Sequence, residues 1–175
     1  MSTHQSTQPV DYLSGFNAII PFSITGSGLT NLGLAVTTTA KGLAGIDYVH
    51  DLSPVDATDK IAEEAVRQLE RYFEDPLWHF DLPLDLAGTP FQQRLWRTLR
   101  EVPVGAVDTY GKLAHKLNSG AQAIGQACRR NPVPVVVPCH RIVSQQGMGG
   151  YVGEVDGEKM SIKRALLAHE GYMGA

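Results

Sequence analysis

The chain has 175 residues, of which 43% are hydrophobic and 19% charged, which predicts a compact protein with a hydrophobic core. No apolar run approaches the ~18 residues that a bilayer-spanning helix needs, so we expect no membrane partner. The net charge of -3 conceals an uneven distribution of charge along the chain. Residues 1–90 carry four basic and twelve acidic side chains, whereas residues 91–131 carry seven basic and two acidic ones. That basic block is typical of a phosphate-contacting face, although a solvated helical surface would give the same count.

The first fifteen residues are polar and lack the basic-then-apolar plan of a signal peptide. We therefore expect a loosely attached tail and a cytoplasmic protein. Two cysteines, Cys128 and Cys139, are too few for a disulfide framework. The histidines and cysteines show no metal-ligand spacing, so we expect no metal and no cofactor.

Three β-prone runs, separated by turn residues, predict a small sheet in the amino-terminal half. They cover Ala18–Thr25, Leu32–Thr39 and Leu43–His50, and Lys41-Gly42 is the expected hairpin turn. This half carries no motif to which we assign a chemical role.

An amphipathic helix is predicted over residues 58–74, with Asp56 or Thr58 as its cap. A linker punctuated by proline and glycine follows, so we place a domain boundary near residues 85–90. The punctuating residues are Pro76, Pro83, Gly88 and Pro90.

Three helical segments are predicted at the start of the second half. Residues 91–101 carry an apolar stripe, and shorter helices are expected at 110–118 and 121–130. The turn between the shorter pair, at 118–120, contains glycine. Two short helices around such a turn indicate a helix-turn-helix.

The last of these helices distributes its side chains over distinct faces at about 100° per residue. Because its flanks carry only small residues, a backbone or a groove could approach closely. Ala121, Ile124 and Cys128 are expected to face one way, Gln122, Gln126, Arg129 and Arg130 the other, and Ala123, Gly125 and Ala127 the flanks.

The segment 131–141 reads Asn-Pro-Val-Pro-Val-Val-Val-Pro-Cys-His-Arg. Prolines restrict the backbone and valines favour burial, so we expect a stiff apolar strand that ends at Cys139. Strand neighbours point to opposite faces, so His140 would reach Cys139 through a bridging water. Because the thiolate is the nucleophile, such a site needs a base or a positive field. An inert buried cysteine is the alternative.

The block Pro-Cys-His-Arg at 138–141, behind Asn-Pro-Val-Pro, resembles the O6-alkylguanine-DNA alkyltransferases, the suicide repair proteins for alkylated guanine. The resemblance runs from residues 88–92 through Tyr110 and the glycine loop at 147–153 to residues 166–171. It implies DNA repair by one irreversible transfer from O6-alkylguanine, and less well from O4-alkylthymine. It also implies a monomer that needs no cofactor.

The resemblance implies an α+β fold with two domains. Residues 1–87 would form a ribonuclease H-like domain, a small β-sheet with a helix, behind the flexible tail. Residues 88–175 would form a mainly helical, winged-helix-like domain for DNA binding and alkyl transfer. Its helix-turn-helix would place the third helix in the minor groove of double-stranded, alkylated DNA.

Five residues receive catalytic roles from the resemblance. Cys139 would accept the alkyl group, His140 would draw the thiol proton through a water, and Glu170 would hold and polarise His140. Tyr110 would contact a phosphate beside the flipped nucleotide and help to protonate the leaving purine. Asn131 would tie the recognition helix to the active-site strand.

Further positions are implied for DNA and for the flipped base. The DNA-binding residues would be Tyr110, Gln122, Ala123, Gln126, Ala127, Arg129 and Arg130. The base pocket would be formed by Val137, Pro138, Arg141, Ile142, Met148, Tyr151, Val152 and Gly153.

Two residues have a physical reading that does not depend on the family. Glu170 precedes Gly171, which is expected to end the helix, and the helix dipole disfavours a negative charge at this end. We therefore expect the carboxylate to be stabilised by a partner such as a histidine. A surface glutamate is the alternative. Tyr110 opens a helix in the basic region, and a core or surface tyrosine is its alternative.

One position departs from the family pattern. The family typically places an intercalating arginine at the start of the recognition helix, where this chain has Gln122. Glutamine fills space and hydrogen-bonds but lacks the planar cation that stacks on bases. We expect weaker DNA binding or less efficient base extrusion, with the chemistry at Cys139 retained.

Three other functions remain open from the sequence. An alkyltransferase-like protein would bind the lesion without transfer, although such proteins typically replace the nucleophile. A cysteine hydrolase would use Cys139, His140 and Glu170 over many turnovers. A helix-turn-helix regulator would use residues 110–130 and leave the cysteine idle.

Overall fold

The structure of the protein, a computed structural model, describes residues 15–174. The tail predicted for the first fifteen residues lies outside the described residues except for Gly15. Over the described range, none of the helices combines the length and the apolar character needed to cross a bilayer. The architecture is mixed α/β, with a small antiparallel sheet followed by a mainly helical half.

Three antiparallel strands form the amino-terminal sheet, as the three apolar runs predicted. They are β1 (Ala18–Pro21), β2 (Gly33–Thr39) and β3 (Gly42–Val49), in that spatial order. The central strand is buried on both faces, since Leu34 joins the main core and the adjacent Ala35 joins a small cluster on the other side.

The hairpin between β2 and β3 turns one residue earlier than predicted. Gly42 already pairs with Thr39, so the turn consists of Ala40 and Lys41. A side chain at position 42 would collide with the carbonyl group of Pro83. Glycine is therefore needed there for close backbone approach within the strand.

Helix α1 (Lys60–Glu74) packs across this sheet. The predicted caps, Asp56 and Thr58, are wrong, because the carboxylate of Asp59 accepts hydrogen bonds from the amides of the second and third helical residues, each at 2.9 Å. The amphipathic pattern is confirmed. Its buried residues are Ala62, Ala65, Gln68, Leu69 and Tyr72.

The second half contains four α-helices and a short parallel ladder. The first helix begins sharply because Thr89 and Gln92 form a capping box around Pro90. The elements are α2 (Pro90–Leu99), β4 (Asp108–Thr109), α3 (Tyr110–Lys116), α4 (Ala121–Arg129), β5 (Ile142–Val143) and α5 (Glu158–His169), with β4 parallel to β5.

The predicted pair of short helices around a turn is confirmed as α3 and α4. The chain reverses at Asn118, whose φ of 50° is the left-handed conformation that asparagine tolerates. Ile124 and Cys128 share one face, as expected, and that face is buried. Ala121 and Ala127 depart from the predicted faces, because Ala121 is exposed and Ala127 is buried. Ala127 is buried because helix α2 packs beside it, where the Trp96 indole donates to the Ala127 carbonyl at 3.0 Å.

The apolar segment before Cys139 is not the strand that its valines suggested. Residues 132–137 form consecutive turns, with Val135 at a φ of 74°, and Cys139–Arg141 forms a 3₁₀ helix. Three prolines remove three amide donors, so this stretch could not have joined a sheet ladder along its length. The valines are buried nonetheless, and the turns bring Cys139 inward.

One hydrophobic cluster runs through both halves of the molecule. It extends from Ala18 in β1 to Leu166 in α5. Backbone contact also crosses the halves, where the Ile46 amide donates to the Pro132 carbonyl at 2.8 Å. The sheet therefore supports the back of the segment that carries Cys139.

The cap of α1 can be tested by exchanging its carboxylate. We expect Asp59→Ala to lower the free energy of unfolding by about 1–2 kcal/mol, because two amide donors lose their acceptor. Urea unfolding followed by circular dichroism measures this. Asp56→Ala is the control and should change stability by less than about 0.5 kcal/mol. Equal losses in both variants would contradict the assignment.

Candidate functional site

Cys139 lies at the inner end of a cleft of about 710 Å³. Its side chain is 3% exposed, and it begins the 3₁₀ helix. The Asn131 amide nitrogen donates to the Cys139 sulfur at 3.1 Å and to the Val137 carbonyl at 2.8 Å. Asn131 follows the end of α4, so this amide joins the helix to the cysteine.

The surroundings of Cys139 oppose its ionisation at rest. Burial raises the pKa of the thiol, while the Asn131 hydrogen bond and the positive charge of Lys163 lower it by less. A thiol in this setting stays protonated near neutral pH. Reaction at this sulfur therefore requires a base that removes the proton as the new bond forms.

His140 is the base that the structure offers. It is fully buried, and its Nε2 lies 2.8 Å from a carboxylate oxygen of Glu170. Burial lowers the pKa of His140 more than the Glu170 carboxylate raises it, so the ring is neutral. An ionised acceptor at Nε2 holds the proton on that nitrogen and leaves the lone pair on Nδ1. Among the described residues, Nδ1 has no hydrogen-bond partner, so it is available for a proton.

Glu170, at the end of α5, is held by several donors at once. Arg141 makes a bidentate pair with it, Nε and a terminal nitrogen each at 2.9 Å. The Tyr72 hydroxyl donates to the oxygen that also contacts His140, at 2.8 Å. Burial alone would raise the pKa of Glu170, but the hydrogen bonds from His140 and Arg141 and the charge of Arg141 bring it down to about 2. The carboxylate is therefore ionised although it is 6% exposed.

Lys163 is a second buried charge beside the cleft. The side chain is fully buried, and its ammonium donates to the carbonyls of Ile142, Met148 and Gly150 at 2.5, 2.7 and 3.0 Å. Burial lowers the pKa of Lys163 to about 8, partly opposed by the two cysteines. The lysine thus fastens the glycine loop to β5 and leaves a positive charge near Cys139.

Helix α4 and the loop after β5 form the walls of the cleft. Tyr110 closes one end, where its hydroxyl donates to the Gly150 carbonyl at 3.1 Å. Gly149, at a φ of 69°, lets the Tyr110 ring approach to 3.0 Å of the position that a Cβ would occupy. The remaining lining residues are Gly111, Ala121, Gln122, Gly125, Gln126, Cys128, Arg129, Ser144, Gln145, Gln146, Tyr151, Val152, Gly153, Glu154 and Val155.

The amino-terminal sheet also reaches the cleft. The hydroxyls of Tyr48 in β3 and Tyr151 in the loop lie 2.8 Å apart, and their rings are 6.4 Å apart. Burial raises the pKa of both phenols, so both remain protonated donors. Tyr151 is 3% exposed and thus forms a rigid part of the wall.

Comparison with known proteins identifies the family. The model of the DNA-binding domain of 6-O-methylguanine DNA methyltransferase matches residues 90–172. The methylated-DNA–protein-cysteine methyltransferase of Methanosarcina acetivorans is 36% identical over 140 residues, which is 75% of this chain and 86% of the relative. The chain belongs to the methylated-DNA–protein-cysteine methyltransferase family. The resemblance expected from the Pro-Cys-His-Arg block is confirmed.

Other members agree in sequence and in fold. The enzyme of the same name from Shigella flexneri is 40% identical over 133 residues, which is 74% of this chain and 70% of the relative. The crystal structure of Mycobacterium tuberculosis OGT in complex with DNA superposes with a TM-score of 0.66 at 33% identity, over 79% of this chain and 87% of that chain. The mixed α/β fold is therefore shared.

The structure brings the residues with assigned catalytic roles together around Cys139. His140 and Glu170 lie behind the sulfur, Asn131 contacts it, and Tyr110 lies across the cleft. Of the residues assigned to DNA, Gln122, Gln126 and Arg129 are exposed and line the cleft, and Ala123 on the same helix is half-buried. Arg130 is exposed but lines a neighbouring depression, and buried Ala127 offers no side chain to a partner.

The base-pocket residues divide into two groups. Tyr151, Val152 and Gly153 line the cleft, whereas Val137, Ile142 and Met148 contribute backbone carbonyls to hydrogen bonds behind it. The pocket assignment of Arg141 and Pro138 is corrected, since both line a separate cavity of about 240 Å³. Arg141 turns away because its guanidinium is bound to Glu170 and to the Val102 carbonyl, the latter at 2.6 Å.

Three residues of the site were missed by sequence reasoning. Lys163 sits among apolar positions of α5, and this inward register was the only available signal. Tyr72 and Tyr48 have the spacing of ordinary core tyrosines. Their roles depend on contacts with residues about a hundred positions later, which periodicity does not report.

The Glu170 carboxylate is expected to make stability depend on acid pH. Its pKa falls from 4.5 to about 2 on folding, so its stabilisation is complete above 4.5 and is lost as pH falls toward 2. Glu170→Gln should cost about 3 kcal/mol at neutral pH, since Arg141 loses its carboxylate. The stability difference from wild type should narrow as pH falls through that window. Urea unfolding at a series of pH values measures it.

Glu63→Gln is the matched control, because Glu63 is exposed on α1. Its difference from wild type should stay small across the same range of pH. A Glu170→Gln difference that did not change with pH would mean that the carboxylate is not the titrating group.

Proposed function

We propose that this chain reverses O6-alkylguanine in DNA, and less well O4-alkylthymine, by moving the alkyl group irreversibly to Cys139. One observation carries the proposal: Cys139 lines a cleft, and the next residue, the neutral His140, is hydrogen-bonded to the ionised Glu170. The cleft has room for a base, and the chain's family acts on methylated DNA.

The transfer is a displacement at carbon. The thiol proton passes through a bridging water to His140 Nδ1 while the sulfur attacks the alkyl carbon. The bond from that carbon to O6 breaks, and its electron pair leaves with the purine. The purine then takes up a proton at its ring nitrogen from the Tyr110 phenol, which regains one from water. The imidazolium formed meanwhile is stabilised by Glu170 and then releases its proton to solvent.

The product explains why one protein molecule would act once. A thioether has no carbonyl carbon for water to attack, unlike an acyl-cysteine. Cys139 is buried, and its sulfur contacts an amide donor rather than a second nucleophile. The reaction therefore consumes the protein, and a cysteine hydrolase would be distinguished by repeated turnover.

DNA is proposed to approach the mouth of the cleft. Gln122, Gln126 and Arg129 form the exposed face of α4, which would enter the minor groove beside the lesion. The damaged nucleotide would rotate out of the duplex into the cleft, at a cost of a few kcal/mol that is smallest for a weakened pair. Tyr110 would stand at the phosphate beside it. Recognition then rests on backbone contacts and the pocket rather than on base edges.

The division of labour follows the two halves of the chain. We assign residues 1–87 to a ribonuclease H-like domain and residues 88–175 to a winged-helix-like domain that acts as a monomer on double-stranded DNA. The three-stranded sheet and α1 fall in the first range, and the α3–α4 pair falls in the second. The short β4–β5 ladder beside that pair is the feature that would correspond to a wing.

The acceptor cysteine can be identified directly. Incubation with O6-methylguanine DNA should add one methylene per protein molecule to the intact mass. Trypsin cuts after Arg129 and Arg130, so Cys128 and Cys139 fall on separate peptides, and the adduct should map to the second. Cys139→Ser should gain no mass. An adduct at Cys128, or continued repair beyond one equivalent, would refute the proposal, and lesion binding without any mass gain would indicate a non-transferring protein.

Gln122 should limit DNA binding. We expect Gln122→Arg to tighten binding to a lesion-bearing duplex about tenfold, the scale of one added stacking cation, and to speed transfer. Fluorescence anisotropy and single-turnover repair measure the two effects. Ser53→Arg adds the same charge at an exposed site in the other half and is the control. Equal gains in both variants would reduce the effect to net charge, and no gain in Gln122→Arg would contradict the assignment.

A further inference from the structure

The hydrogen bonds to Glu170 come from both halves of the protein. Tyr72, in α1, is 1% exposed, and its hydroxyl donates to Glu170 Oε1 at 2.8 Å. That oxygen is also 2.8 Å from His140 Nε2. The phenol, the imidazole and a terminal nitrogen of Arg141 therefore share one acceptor atom, and Tyr72 lies 98 positions before Glu170 in the chain.

We propose that Tyr72 is a positioning residue for alkyl transfer, which sets the proton affinity of His140 by competing with it for Glu170 Oε1. This inference rests on the proposed function. It gives the amino-terminal half a defined part in the chemistry at Cys139, although none of its residues is assigned to the reacting atoms.

The Tyr72 hydroxyl is held in place from several sides. The ring lies edge-on to His169, with centroids 5.2 Å apart, and against Phe80 at 5.5 Å. The Tyr72 backbone carbonyl accepts a hydrogen bond from His169 Nε2 at 2.8 Å. Because His169 directly precedes Glu170, the end of α5 and the tyrosine are fixed relative to each other. The phenol cannot turn to another acceptor without disturbing this packing.

The charges around the pair determine the direction of the effect. Glu170 faces His140, Arg141 and Tyr72, and the charge of Lys163 also acts on His140. The phenol of Tyr48 also acts electrostatically on Tyr72. Burial and the negative charge of Glu170 raise the pKa of Tyr72 well above its ordinary value, so the phenol remains a donor throughout the working range.

Removing the Tyr72 hydroxyl strengthens the hydrogen bond between the Glu170 carboxylate and the His140 imidazole. With one hydrogen bond fewer, Glu170 Oε1 accepts more strongly from His140 Nε2 and stabilises the imidazolium. The pKa of His140 then rises. Since the base must be neutral to take the thiol proton, transfer should fail at a higher pH than in the wild type. A residue that served only packing would lower the rate by the same factor at every pH.

The test uses Tyr72→Phe in the full chain. Single-turnover methyl transfer is measured against pH, and the midpoint of the acid limb should rise by about half a pH unit or more. In proton–nitrogen correlation spectra of unreacted protein, the His140 Nε2–H signal should move downfield. Incorporation of 3-fluorotyrosine at position 72 makes a stronger donor and should shift both readings in the opposite direction.

Tyr172→Phe is the matched control, since Tyr172 follows the end of α5 and its hydroxyl makes no hydrogen bond to Glu170. Tyr172→Phe should change neither the midpoint of the acid limb of the transfer rate nor the position of the His140 Nε2–H signal. An acid limb and a signal unchanged in Tyr72→Phe would overturn the inference, as would a pH-independent loss of rate. Absence of transfer in the wild type would instead overturn the proposed function, so the two failures are distinguishable.

Discussion

The buried ion pair between Arg141 and Glu170 is the interaction on which the rest of the site depends. An unpaired charge of either sign at this depth would cost several kcal/mol, so the two side chains fix each other's position. Through its other contacts the pair holds the backbone after α2, at Val102, and the end of α5. Cys139 occupies the first position of the same short helix as Arg141, and its place follows from that anchorage.

The back and the front of the cleft differ in the contacts that hold them in place. Behind Cys139, side chains are buried and every donor to Glu170 has fixed geometry, which suits proton transfer over short distances. In front, the glycine loop is held by the ammonium of Lys163, by the Tyr110 hydroxyl on the Gly150 carbonyl and by the contact between the Tyr48 and Tyr151 hydroxyls. The wall that faces Cys139 is therefore tied to three separate elements of the fold.

The regular elements were predictable because their periodicity is local. The strands, α1 and the α3–α4 pair were anticipated within a few residues, and the Pro-Cys-His-Arg block pointed to the cysteine that lines the cleft. The segment 132–137 was not anticipated, because valine favours strands. Here the prolines remove backbone donors that a sheet ladder needs, so the valines are buried by way of turns instead. Arg141 was assigned to the pocket because sequence adjacency to Cys139 does not say which way a 3₁₀ turn directs each side chain. Tyr72 was invisible because tertiary packing alone brings it to Glu170.

The indole hydrogen bond between α2 and α4 has an optical consequence. Trp96 is 1% exposed, and its nitrogen donates to the carbonyl of Ala127, near the end of the helix that we assign to the minor groove. A tilt of that helix would lengthen the bond and alter the polarity around the ring. In a variant without Trp78, the other tryptophan of the chain, intrinsic emission from Trp96 therefore reports helix movement without a label.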